Sequence, residues 1–228
     1  MAGKYLILYG DIKQSKQDPD RAALADKLRT SLEKRNHNLV DCLSGRFSLR
    51  VGADEFVGVV RPGSGVLGKL ISGVWWDLHP AACRMAVLKG DLDVVPSPGG
   101  DGLPPLASNF DGEAMWDADK AIRRLKSRDG LLHLDLGDTR REAKLVEALG
   151  ESLYVQALRW TKNQRKTLAN YLLLGSQMKV AKELKIDQPR VSRRLSSIWA
   201  RTFLRGLREF QEGIDWLDLE GETEEDAQ

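Results

Sequence analysis

Residues 160–195, WTKNQRKTLANYLLLGSQMKVAKELKIDQPRVSRRL, decide how the chain divides. Apolar residues recur from here to Ile198 in three groups: Leu168, Tyr171 and Leu172; Val180, Ala181 and Leu184; Val191, Leu195 and Ile198. Such spacing lets three short helices bury one common face. Thr161 suits the N-cap of the first helix and Gly175 its stop. Lys185-Ile186-Asp187 has the length of a helix-turn-helix turn. Pro189 then falls just inside the next helix, where its missing N–H costs nothing. That helix, over 188–200, carries Gln188, Arg190, Ser192, Arg193 and Arg194 in its first two turns, on or near the face that enters a major groove. Arginine and glutamine suit bidentate contacts with guanine and adenine edges, and the other bases can neutralise phosphates.

The charge around this segment points the same way. Residues 154–210 hold 13 Lys and Arg against 3 Asp and Glu, whereas 211–228 hold 8 acids and no Lys or Arg. The remaining 1–153 balance at 22 of each sign. A basic block of this kind is the footprint of a phosphate-backbone partner, so DNA is the expected partner. A solvated basic bundle, or one that docks an acidic protein, is the alternative. The acidic 211–228, poor in apolar side chains after Leu219, are expected to be a disordered tail.

Over the whole chain, 42% hydrophobic and 30% charged residues over 228 positions suit a globular protein of two folding units. No apolar run approaches the roughly 20 residues of a spanning helix. Met1 to Asp11 offers no small-residue cleavage site, so a cytoplasmic protein without a membrane partner is expected. Cys42 and Cys83 fit neither a disulfide framework nor a zinc site and are expected to be reduced, buried thiols. His37, His79 and His133 are scattered, and no histidine-based catalysis is assigned.

N-terminal to the basic block, strand patterns over 5–9, 47–51, 55–60, 84–88 and 131–136 alternate with helical patterns over 20–35, 66–78 and 113–126. The order β-α-β-β-α-β-α-β, a hairpin flanked by helical crossovers, predicts an α/β (α+β) domain with a ferredoxin-like sheet of the palm type. Residues 96–105, PSPGGDGLPP, break both periods and form a surface loop without the ending of a phosphate loop. The expected division is a palm-like domain at 1–137, a connector helix at 138–159, an all-α helix-turn-helix at 160–210 and the acidic tail. Of Trp75 and Trp76, one is expected in the core and the other at a dimer contact.

The first strand ends in Gly10-Asp11, and the central hairpin reads Gly52-Ala53-Asp54-Glu55. In neighbouring strands Asp11 and Asp54 converge on one edge, where carboxylates and substrate phosphates hold hard divalent ions. Two such ions about 3.5–4 Å apart drive phosphoryl or nucleotidyl transfer. The alternative is that both acids merely end a strand and shape a turn.

YGDIKQSK at 9–16 resembles the metal-binding strand of class III nucleotide cyclases, and GADEF at 52–56 resembles the diguanylate cyclase hairpin with Ala53 in place of its second glycine. RMAVLKGDL at 84–92 and DGEAMWDADKAI at 111–122 fall where those cyclases place a strand ending in glycine-acid and a nucleotide-facing helix. The segment 160–195 resembles sigma-factor region 4 and LuxR-type helix-turn-helix modules. In this order they resemble the SatD family over nearly the whole chain. The resemblance implies Asp11 and Asp54 as ligands of Mg²⁺ or Mn²⁺, Glu55 as a third catalytic carboxylate, and Gly10 and Gly52 as points of close phosphate approach. Lys89 and Lys120 fall by position at a base or phosphate pocket, with solvated charges as the alternative. Where cyclases carry a transition-state asparagine and arginine stand Trp116 and Lys120, so binding of a nucleoside triphosphate is better supported than its turnover. The expected function is a DNA-binding transcriptional regulator with a Mg-nucleotide-binding palm, working as a homodimer. The alternatives are an active nucleotidyl cyclase or oligonucleotide synthase regulated by nucleic acid, and a nucleotide-independent transcription factor with the palm as dimerisation scaffold.

Overall fold

The computed structural model describes residues 4–17, 19–50, 52–100, 102–137 and 140–223. The chain divides into two compact units, residues 1–151 with 210–228, and residues 152–209.

In the first unit, β1 (Tyr5–Ile12), β2 (Leu43–Leu49), β3 (Glu55–Val60), β4 (Cys83–Gly90) and β5 (Leu132–Asp135) form one mixed sheet in the order β2-β3-β1-β4-β5. β1 is central and antiparallel to both β3 and β4, while β5 joins β4 in parallel. Helices α1 (Arg21–Asn38) and α2 (Leu67–Leu78) make the crossovers from β1 to β2 and from β3 to β4, and α3 (Glu113–Arg128) precedes β5. Alternation along the strands builds the core. Ile7, Tyr9, Val57, Val59, Ala86 and Leu88 face one way and pack with Ala114, Ala118, Ile122 and Leu125 of α3. α1 and α2 pack on each other, and Arg35 Nη1 reaches Asp77 Oδ2 at 2.8 Å between them.

The five strands and three helices read from the sequence are all present, with ends shifted by up to four residues; Val51 lies outside the described residues. Trp75 is core and stacks on Phe210 with ring centroids 5.8 Å apart, and Trp76 is half-buried. Cys83 is buried and Cys42 half-buried, with no disulfide between them.

α4 (Arg140–Leu158) is a helix where the connector is expected, with its residues up to Glu151 counted in the first unit; the expected first residues, 138–139, lie outside the described residues. The second unit holds α5 (Lys162–Leu174), α6 (Gln177–Leu184) and α7 (Gln188–Ser197), each in contact with the other two. Thr161 and Gln164 form a capping box, Gly175 ends α5 in the left-handed region at φ 67°, and Asp187 caps α7 by accepting from Arg190 N at 2.7 Å. α7 stops at Ser197, short of the expected Ala200, and Trp199 at φ 53° turns the chain into α8 (Ala200–Thr223).

α8 corrects the disordered tail as far as residue 223; residues 224–228 lie outside the described residues. Phe210, Ile214 and Leu217 recur at four- and three-residue spacing and are fully buried in the first unit. Two of the tail's acids also serve as acceptors there: Asp215 Oδ1 takes the Gly68 N–H at 3.2 Å near the start of α2, and Asp218 Oδ2 takes that of Gly63 at 2.9 Å.

Candidate functional site

Register brings one set of charges together in the first unit. Asp11 lies opposite Glu55 of β3 on one side and opposite Arg84 of β4 on the other, so the three side chains stand in a row on the α3 face. Asp11 is 5% exposed. Its Oδ2 accepts from Arg84 Nη1 at 3.0 Å and its Oδ1 from Lys126 Nζ at 2.9 Å. Lys126 also donates to Glu55 Oε1 at 2.9 Å, and Tyr9 donates its hydroxyl to Glu55 Oε2 at 3.0 Å. Burial disfavours the Lys126 charge, but its hydrogen bonds to Glu55 and Asp11, with their charge, outweigh this and hold its pKa above the ordinary lysine value. Burial, and then the Glu55 charge, push the Tyr9 phenol up, so it stays protonated and keeps donating.

Asp54 sits one residue further along, in the β2–β3 turn, and its Oδ2 accepts from Ser15 Oγ at 2.5 Å. The turn needs positive φ at Gly52 (107°) and Ala53 (58°). The Gly52 carbonyl accepts from Arg21 Nη2 at 2.9 Å. Asp11, Gly52, Asp54 and Glu55 therefore line one cavity of about 400 Å³, together with Ser15, Arg21, Arg84 and Lys126.

Other sequence-derived residues fall elsewhere. Gly10 lies opposite Phe56, and a Cβ there would come within 2.2 Å of the Phe56 ring, so its bareness seats an aromatic side chain and leaves no opening for a phosphate. Lys89 projects to the sheet face opposite Arg84, because the two are an odd number of residues apart on β4. Lys120 pairs with Asp117 at 2.8 Å and lines a separate cavity with Arg50, Trp116 and Arg123. Trp116 Nε1 donates to Asp111 Oδ1 at 2.9 Å.

Sequence reasoning missed Arg84 and Lys126. Both left a signal: Arg84 is a charge within a strand otherwise buried from Cys83 to Leu88, and Lys126 continues the buried Ala118–Ile122 stripe of α3 at four-residue spacing.

The donor set does not fit the expected pair of divalent ions. All four oxygens of Asp11 and Glu55 are engaged by an arginine, a lysine and a tyrosine, and among the described residues no group of three His, Cys, Asp or Glu side chains is placed to hold a metal. Magnesium requires near-octahedral oxygen ligands at about 2.0–2.1 Å, and here the nearest partners of these oxygens are donors.

The second candidate lies in the second unit by itself. Val191 and Leu195 bury one side of α7, leaving Gln188, Arg190, Arg193 and Ser196 exposed. Gln188 Nε2 donates to Gln177 Oε1 at 2.7 Å, at the start of α6. Ser192 is half-buried and lines a groove of about 660 Å³ with Tyr171, Gln177, Ser196 and the exposed Trp199. Arg194 departs from its neighbours: half-buried, it donates to Thr167 Oγ1 of α5 at 3.3 Å. No helix of the described residues is long and apolar enough to cross a membrane.

A family model described as the SatD family matches residues 5–213. No curated protein matches the chain. Two solved structures of a bacterial light-regulated adenylyl cyclase resemble it at 10% and 11% identity, with TM-scores of 0.43 and 0.40. Each covers 59% of this chain and is itself covered over 43% of its length, so the chain spans less than half of these structures.

Proposed function

The chain belongs to the SatD family, and from that premise we propose that it is a DNA-binding regulator that lays α7 in the major groove as the second helix of a helix-turn-helix. One observation carries the proposal: α7 is anchored by Val191 and Leu195 and capped by Asp187, and it turns Gln188, Arg190, Arg193 and Ser196 outward. Those are the residue types that read base edges and hold phosphates. The three-residue turn from α6 supports it, with Lys185 in the left-handed region and Ile186 N–H bonded to Ala181 O at 3.0 Å. So does the excess of ten positive charges over 154–210. Selection of the full chain on a random duplex pool tests the proposal. A recovered consensus sequence is expected, and recovery of unselected sequence after repeated rounds contradicts it.

Nucleotide control of this docking is the second reading. The strand order β2-β3-β1-β4 supports a sheet of the ferredoxin-like, palm type, and the cavity at Asp54 holds the Arg21 guanidinium, which has donors to spare beyond the Gly52 carbonyl. Turnover is not part of it, since Trp116 and Lys120 line a different cavity. Thermal protection of the chain by ATP or GTP, lost in Arg21→Met, is the expected result. Equal melting with and without either nucleotide removes this reading.

A further inference from the structure

We propose that the Lys126 ammonium is the resident cation of the Asp11–Glu55 pair, so that the first unit binds no divalent ion at these carboxylates. Nζ stands 2.9 Å from Asp11 Oδ1 and 2.9 Å from Glu55 Oε1, a bridging position between two acids that register has already set side by side. Two carboxylates so placed repel, and one cation between them removes the repulsion. A second cation, Arg84, is fixed on the far oxygen of Asp11, and the Tyr9 hydroxyl takes the far oxygen of Glu55.

Charge balance makes this set closed. Arg84 and Lys126 cancel Asp11 and Glu55, and Arg21 offsets Asp54, the remaining acid of the cavity lining. A divalent ion entering beside them would meet a lining with no net negative charge to spare, and it would have to displace an ammonium held by two charge-assisted hydrogen bonds. Lys126 also lies in the last turn of α3, where the backbone carbonyls favour a positive group. Position along the helix, register along the sheet and the charge count all assign the place of a metal to a side chain.

Manganese, counted by the loss of the free-ion resonance in electron paramagnetic spectra, tests this on the full chain. The wild type is expected to take up no Mn²⁺ that Asp11→Asn abolishes. Lys126→Met, which keeps the length and apolar stem of the side chain, is expected to gain one such site, lost again when Asp11→Asn is added. Lys126→Arg, which keeps the charge, is expected to stay without one. Uptake by the wild type that Asp11→Asn abolishes overturns the proposal, as does a folded Lys126→Met that gains nothing. Should Lys126→Met not fold, the wild type and Asp11→Asn titrations still decide.

Discussion

The two charged regions differ in whether their charges are spent. Between the sheet and α3, Asp11, Glu55, Arg84 and Lys126 are paired with one another at 2.9–3.0 Å. On α7, the exposed guanidinium groups of Arg190 and Arg193 have no hydrogen-bond or ion-pair partner among the described residues. Within that set Asp11 and Arg84 are buried, so their pair contributes to stability and position, because removing one strands the other in a poorly solvated place. Open charges on a helix face contribute little to folding and remain available to a partner. Damage to the first region is therefore expected in the folding equilibrium, and damage to the second in binding.

Phe210→Ala is expected to have the largest effect on folding, about 4 kcal/mol by urea titration, because the ring is fully buried and stacked on Trp75. A loss below about 1 kcal/mol would show that α8 does not hold the first unit together. Arg84→Met comes next at about 3 kcal/mol, since it leaves Asp11 buried with Lys126 alone. Adding Asp11→Asn should restore part of the loss. If the double variant is less stable than the sum of the two singles, the charges are not acting as a pair.

Arg194→Ala sharpens the contrast from within α7. Its bond to Thr167 makes it the arginine of the three with a folding role, and about 1 kcal/mol of stability should go with it. Arg190→Ala and Arg193→Ala should each stay within about 0.5 kcal/mol of wild type. The smallest effect is expected at Asp215, whose carboxyl is held above the usual carboxylate range mainly by burial. A raised folded-state pKa means that the folded form keeps its proton when the unfolded form has lost it, so this group's contribution to stability falls as pH rises through that interval. Asp215→Asn retains an acceptor for the Gly68 N–H. It should raise stability slightly at neutral pH, and the gain should disappear in acid. A gain that is equal at both pH values would assign the effect to packing.

Much of this was legible in the sequence because it is local. Helix periods, the Thr161 cap, the Gly175 stop and the Pro189 position depend on residues within one or two turns of one another. What was not legible depends on register. The sequence places Asp54 in the hairpin turn, converging with Asp11 on one edge, but only the pairing shows that Glu55 is the residue directly opposite Asp11. Gly10 reads in the sequence as an opening for a phosphate, but the Phe56 ring of the paired strand fills the space above it. Lys89 falls near the site by position along the chain, but strand alternation sends it to the other face. The charge of the tail masks the Phe210, Ile214 and Leu217 spacing that buries it.

The salt dependence of DNA binding tests the central claim most directly. Fluorescence anisotropy of a selected duplex should be followed over a range of salt with wild type and the Arg190→Ala/Arg193→Ala variant. The open face predicts a steep loss of affinity with salt for the wild type. The variant, folded as stably, should bind about 10- to 100-fold more weakly, and its slope should flatten by about one for each arginine that holds a phosphate. Equal affinity and equal slope in the two proteins would contradict the account.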